Sequence, residues 1–322
     1  MRGGRICRPL GISSQPLSLS LSLHWLFPTH WLLIPRLLPC FLLRPLFSPP
    51  HVPTPSSPAL AGLPSRKNKI GYRAINTAQA HSNEAACGRA IGRFLAKSGE
   101  PRSSIFFTTM LRTNTSYAAT RASIAASLAQ SATGHIDLFL LHSPFGGTDK
   151  RRECWRAVED AVLAGEVRSA GVSNFGVHHL QELLAMPKLR VRPAVNQLEL
   201  HPFHTNDAVV DLCRRERIAV AAYAPLVRGL RMDHPTIVEL ARRHAASPAQ
   251  VLLRWGLQRG FVVVPKTVRE DRLRENADLA GLVLSDDDMD QLNALNEGLV
   301  TAEFSTSGTA CSRRWVNASG SP

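Results

Sequence analysis

From Ile70 onward, short apolar runs alternate with amphipathic stretches of helical length, and that alternation leaves few folds open. Strands spaced by one helix each are the sign of βα units and a parallel sheet. Seven strands can be read: IGYRAIN ending at Asn76, IFFTTM at Met110, IDLFLLH at His142, VRSAGV at Val172, PAVNQLE at Glu199, IAVAAYA at Ala224 and FVVVP at Pro265. Helices are expected at residues 84–98, 116–132, 152–164, 177–185, 206–215 and 248–258. The last is introduced by Ser247 as N-cap, with Pro248 at the first helical position. Seven such units in series are too regular for two domains and one short of a closed (β/α)8 TIM barrel. The expected fold is therefore an α/β barrel over residues 70–300 that lacks a recognisable first βα unit. An open barrel would leave a sheet edge bare, so the absence also admits a chain with no stable barrel.

Residues 1–69 form a Leu/Ser/Pro-rich, low-complexity segment, and residues 301–322 read as a C-terminal tail. Eight Lys or Arg and no Asp or Glu precede Ile70, so the net charge of +13 falls to +5 for the rest of the chain. In the body, Lys and Arg alternate with Asp and Glu along the expected helices. A nucleic-acid partner would need a basic stripe, and none is expected. Ser22, His24, Pro28, His30, Pro35, Arg36 and Arg44 break every apolar window long enough to span a bilayer, so no membrane span is expected. The acid-free start fits three readings: an organelle transit peptide, a secretory signal, or upstream sequence translated in error. Six cysteines stand far apart with no CxxC pair, which points to a reduced compartment. The expected location is cytoplasmic, with organelle targeting as the alternative. The sequons at Asn114 and Asn317 matter only in a secreted chain. The expected state is a monomer.

A parallel barrel carries its chemistry on loops at the carboxyl ends of its strands. Polar residues at those ends include Asn76, His142, Ser173, Asn174, Gln197, Tyr223 and Lys266. Singly, each is an ordinary cap or loop hydrogen bonder. Their setting is more specific. GYRAINTAQAHSNE (71–84), FFTTM (106–110), DLFLLHSP (137–144), GVSNF (171–175), VNQLELHP (195–202) and VPKTVREDRLREN (264–276) resemble, in order, motifs of the aldo-keto reductase family. The resemblance spans roughly residues 70–296. Neither GxGxxG nor GxxxxGK is present, and that family uses neither.

The resemblance implies NADP(H) as cofactor and a small-molecule carbonyl as substrate. By that likeness Ser173, Asn174 and Gln197 hold the nicotinamide carboxamide, and Tyr223 stacks on its ring. Lys266, Thr267 and Arg272 match the positions around the adenosine 2′-phosphate, where fixed positive charge suits an anion. Asn276, beside Glu275, matches the adenine end. The implied reaction is hydride transfer to a carbonyl carbon, with a Tyr giving a proton to the developing alkoxide. Of the four catalytic positions only His142 reads as the family has it. Asn76 stands for Asp, His81 for Tyr and Met110 for Lys. Met110 supplies no charge and Asn76 no carboxylate. An imidazole titrates near neutrality, yet an apolar neighbour such as Met110 favours its neutral form. Loss of a positioned acid costs about 10²- to 10⁴-fold in rate. NADPH-dependent carbonyl reduction of weak or lost activity is expected, with a non-catalytic NADP(H)-binding pseudoenzyme as the alternative.

Two pocket positions also differ from the family, Arg112 and Ser143 each standing where a Trp is common. Arg112 lies two residues past Met110, so strand alternation would turn it to the same side and return a cation to the site. The HPFH string at 201–204 has metal-like spacing but no evident third ligand, and it reads as loop.

Overall fold

The computed structural model describes residues 70–302 and the backbone of residues 39–41. The rest of residues 1–69, with the targeting readings made for it, lies outside the described residues, as do residues 303–322 with the sequon at Asn317. The sheet has eight parallel strands in sequence order. They are β1 (Pro39–Phe41), β2 (Ala74–Asn76), β3 (Phe106–Leu111), β4 (Ile136–Leu141), β5 (Val167–Ser173), β6 (Val195–Glu199), β7 (Ala219–Tyr223) and β8 (Val262–Val264). All seven strands read from the pattern are present. The eighth, β1, pairs through Cys40 with Ile75 and lies beside β8, so the sheet nearly closes on itself. The sheet thus reaches back into the segment that composition set apart.

Helices cover the outside: α1 (Glu84–Ser98), α2 (Tyr117–Ser131), α3 (Thr148–Leu163), α4 (Val177–Leu184), α5 (Asp207–Arg215), α6 (Pro235–Arg243), α7 (Pro248–Gln258), α8 (Glu270–Ala277) and α9 (Asp286–Asn293). α7 starts as its sequence dictates. Ser247 Oγ accepts from Gln250 N at 3.2 Å, and Gln250 Oε1 accepts from Ser247 N at 2.9 Å, a reciprocal capping box ahead of Pro248. α3 begins four residues before the expected start, because the left-handed Gly146 and Gly147 turn the chain after β4 and free Thr148 to begin the helix.

Successive strand residues face opposite ways, and two separate apolar cores result. Outward residues such as Phe107, Phe139, Val172, Leu198, Val220 and Val263 meet the helices, with Trp155 and Trp255 fully buried among them. Inward residues Met110, Leu138, Leu140, Ala221 and Val264 fill the lumen with Ala78. All six residues of β4 are buried, as expected of a strand covered on both faces. Gly171 faces inward, and a Cβ there would lie 2.6 Å from Val195 O and 2.7 Å from Leu140 Cδ2. Only glycine lets β5, β6 and Leu140 close on each other at that level.

Among the described residues no helix is long and apolar enough to cross a membrane. Cys87, Cys154 and Cys213 are buried and unbridged. Asn114 is buried, and its Nδ2 donates to Ser143 O at 2.7 Å and Phe145 O at 2.8 Å. Its amide therefore serves to hold a loop, and in the folded chain it offers no glycan acceptor.

Candidate active site

Alternation turns Asn76, Met110, Ser173, Gln197, Glu199 and Tyr223 toward the lumen at the carboxyl ends of their strands, with His142 just past β4. Ser173 stands opposite Gln197 in register, and Glu199 opposite Tyr223. A single-turn 3₁₀ helix, Gln79–His81, follows β2 and brings His81 up beside His142, ring centroids 6.3 Å apart and edge to face at 86°.

On the β5–β7 side the polar groups satisfy one another. Ser173 Oγ donates to Gln197 O at 2.8 Å, and Asn174 Nδ2 donates to His142 O at 3.0 Å and to Ser173 Oγ at 3.2 Å. Tyr223 OH donates to Asn174 Oδ1 at 2.9 Å. Asn174 holds φ at +62°, and beyond Tyr223 the residues Ala224, Val227 and Arg228 are also left-handed. Such conformations cost a non-glycine residue free energy, and they concentrate where a backbone must meet a ligand. Burial, and then the negative charge of Glu199, push the Tyr223 phenol well above its ordinary range.

The β2–β4 side differs. Asn76, buried, donates from Nδ2 to Gln197 Oε1 at 2.5 Å, while its Oδ1 is buried without a partner. Gln197 Nε2 points to Met110 Sδ at 3.9 Å, a weak acceptor. Met110 is 1 % exposed and packed within the lumen cluster, so no charge enters the site from β3. Burial pulls the His81 imidazole down to about 4, helped by His142 and Lys266. Burial alone pulls His142 down to about 4.

The remaining candidates sit together on one strand–loop–helix segment. Lys266 is exposed just past β8, near enough for its charge to act on His81. Thr267 is buried and accepts from Arg269 N at 3.2 Å. Arg272 is exposed in the first turn of α8, and Asn276 is buried in its last. The structure thus joins Ser173, Asn174, Gln197, Tyr223 and Asn76 directly by hydrogen bonds, with Met110, His81 and His142 against them, and keeps the cationic group on its own segment.

Arg112 falls one residue beyond β3 and is exposed, its backbone N–H donating to Gln79 Oε1 at 2.9 Å. The strand ends before alternation can turn it inward. HPFH is a tight loop closed by a bridge between His201 and His204. Among the described residues no cluster of three or more His, Cys, Asp or Glu is placed to hold a metal. Sequence reasoning passed over Glu199, Arg228 and Thr301. The two-residue step from Gln197 to Glu199 was the available signal, since it puts both on one strand face.

The donor set fits a nicotinamide dinucleotide: two amides and a hydroxyl for a carboxamide, an aromatic ring beside them, and exposed cations on the neighbouring segment. Residues 66–297 match the aldo/keto reductase family. The chain belongs to that family. An uncharacterized oxidoreductase of Schizosaccharomyces pombe is 46% identical to this aldo-keto reductase over 230 residues, 71% of this chain and 82% of the relative. The glyoxal reductase of Bacillus subtilis is 40% identical over 230 residues, 71% and 80% of the two chains. Among solved structures, an aldo-keto reductase from a Medee basin deep-sea metagenome library superposes with TM-score 0.72 at 32% identity, covering 84% of this chain and 95% of the other. The aldose reductase of Schistosoma japonicum gives 0.69 at 33%, covering 76% and 87%. Aldo-keto reductases generally use NAD(P)H, so an oxidoreductase site at the mouth of the barrel agrees with both the fold and the family.

Proposed function

We propose that this aldo-keto reductase binds NADPH and reduces small reactive aldehydes or ketones with weak turnover. The observation that carries the reading is the network of Ser173, Asn174, Gln197 and Tyr223, which brings hydroxyl, amide and ring groups together beside His142. Ser173, Asn174 and Gln197 would hold the carboxamide and Tyr223 the ring face. Lys266, Thr267 and Arg272 would take the 2′-phosphate, which favours NADPH over NADH, and Asn276 the adenine. A bound nicotinamide supplies the hydride; the proton has to come from the chain.

That proton is where the site is weak. With a pKa of about 4, His81 is protonated in only about one molecule in a thousand at pH 7. His142 stands in the same condition and can orient a carbonyl oxygen through a neutral N–H. Met110 offers no charge to sharpen either. The same observations favour a second reading, a non-catalytic NADP(H)-binding protein.

Titration with NADPH and NADH, followed by quenching of protein fluorescence, tests the binding half. Saturable quenching by NADPH, weaker with NADH, is expected, and no quenching by either would sink both readings. Oxidation of NADPH in the presence of a small dicarbonyl such as glyoxal, the substrate named for the Bacillus relative, separates them. A rate above that of heat-killed protein supports the weak enzyme, and binding without turnover supports the second reading.

A further inference from the structure

Glu199 is the one carboxylate on the lumen face of β6, two residues beyond Gln197 and opposite Tyr223, and it is 3 % exposed. Four donors converge on it. His201 Nε2 lies 3.3 Å from Oε1, Thr301 N donates to Oε1 at 2.8 Å, Thr301 Oγ1 donates to the same oxygen, and Ala302 N donates to Oε2 at 2.9 Å. Burial alone would push the Glu199 acid up, but the hydrogen bonds from His201 and Thr301 outweigh it and hold the acid below its ordinary value. A carboxylate so held accepts hydrogen bonds and has no proton to give.

Three of the four donors, those of Thr301 and Ala302, belong to a stretch that crosses the loops at the barrel mouth. Glu297 N and Leu299 N both donate to Phe203 O, at 3.2 and 2.9 Å, in the loop after β6. On the other side, Arg231 Nη2 pairs with Glu297 Oε1 at 2.9 Å, and Arg228 Nε donates to Thr301 Oγ1 at 3.1 Å, both from the loop after β7. Arg228 is one of the left-handed residues that follow Tyr223.

We propose that Glu199 is a positioning residue: through Thr301 and Ala302 it fixes residues 297–302 as a strap that ties the loop after β6 to the loop after β7. Because the second loop begins directly after Tyr223, the last residue of β7, a dinucleotide seated on that ring leaves only when the strap lets go. This release step rests on the reading that a nicotinamide dinucleotide binds there; the anchoring of the strap does not. The expected signature is kinetic, in the off-rate for the dinucleotide, with the barrel itself unaffected.

The test uses the full chain as Glu199→Gln, Thr301→Val and Thr301→Ser, with backbone amide exchange read at single residues and NADPH dissociation read by stopped flow. Glu199→Gln should speed exchange at Thr301 and Ala302 by about tenfold or more, because charge-assisted bonds are the strong ones. NADPH should leave faster by a similar factor. Thr301→Val should show a smaller part of both effects, and Thr301→Ser, which keeps the hydroxyl, neither. Exchange at Phe139 and Leu140 in β4 should stay unchanged, which separates strap release from unfolding. Unchanged exchange at Thr301 and Ala302 in Glu199→Gln overturns the anchor. Faster exchange with unchanged NADPH dissociation overturns the release step. If the wild type binds no dinucleotide, the proposed function and the release step fail together, and the exchange arm still decides whether Glu199 holds the strap.

Discussion

Two arcs of one barrel mouth have been put together on different principles. On the β5–β7 arc, Ser173, Asn174 and Tyr223 each use their polar atoms on one another. On the β2–β4 arc, Asn76 leaves an oxygen buried without a partner, Met110 presents sulfur, and His81 and His142 are held neutral. Those three side chains are neutral donors and acceptors suited to grip an amide and a ring. The second arc, where the proposed proton transfer would occur, holds two neutral imidazoles and a thioether. On the proposed reading, binding and chemistry in a shared pocket rest on separate groups, so that one set could change while the other stayed in register.

The largest expected effect comes from repairing the second arc. Asn76→Asp, His81→Tyr and Met110→Lys combined should raise the rate of NADPH-dependent carbonyl reduction by about 10²-fold or more, since a positioned general acid typically contributes 10²- to 10⁴-fold. Dissociation constants for NADPH should move less than the rate, because Ser173, Asn174 and Tyr223 keep their bonds to one another while only the side-chain partners of Gln197 change. Steady-state kinetics beside fluorescence titration measures both. A lysine in the lumen cluster has a desolvation cost, so cooperative thermal unfolding of the variant accompanies the assay. A folded triple variant no faster than wild type would break the comparison.

Next in size is a stability effect. The folded-state values of His81 and His142, about 4, lie below the ordinary imidazole value of 6.5. Between pH 6.5 and 4 the unfolded chain therefore binds more protons than the folded one. Stability is full above pH 6.5 and falls as the pH drops toward 4, by up to about 3 kcal/mol for each imidazole. His179, also held at about 4 by burial, adds to the slope. Urea unfolding at pH 7.5, 6 and 5 should show the loss, and His81→Gln should flatten it. A slope that His81→Gln leaves intact would mean that His81 ionises freely and that the second arc keeps an acid.

A smaller effect sharpens the first arc. Arg272→Ala should weaken NADPH binding by about tenfold and leave NADH binding almost unchanged, the loss expected when an exposed charge-assisted contact to a phosphate goes. Parallel titrations give the ratio. Equal losses for both cofactors would mean that Arg272 acts on something other than the 2′-phosphate.

The barrel was legible because period-two alternation and helix caps are local. β4 and α7 are set by their own residues, Phe139 and Leu140 facing opposite ways and Ser247 closing its own turn. α8 and α9 gave little signal, since α8 buries only Leu273 and Asn276, and α9 only Asp288 and Leu292. α6 has a clear apolar stripe in Ile237, Leu240 and Ala241, but the pattern allots one helix per connection and two lie between β7 and β8. β1 is three residues long, too short for any periodicity to show. For the candidate site, motif order supplied the expected residues, while their partners had to come from the fold. Asn76 meets Gln197 across 121 positions, and Glu199 meets Thr301 across 102. No local pattern encodes such pairs.

The smallest expected effect concerns a cation that alternation would have returned to the second arc. Alternation holds only while the chain remains a strand, and β3 stops at Leu111. Arg112 is instead held at the surface by its backbone bond to Gln79, a residue of the turn that carries His81. Arg112→Ala keeps that bond, so His81 stays where it is. In the repaired triple background, where a rate is large enough to measure, it should change kcat by less than about twofold, as expected for a surface substitution that touches no buried group. A tenfold fall in kcat with KM unchanged would put the guanidinium at the reacting carbonyl, and the second arc would then have kept a positive charge after all.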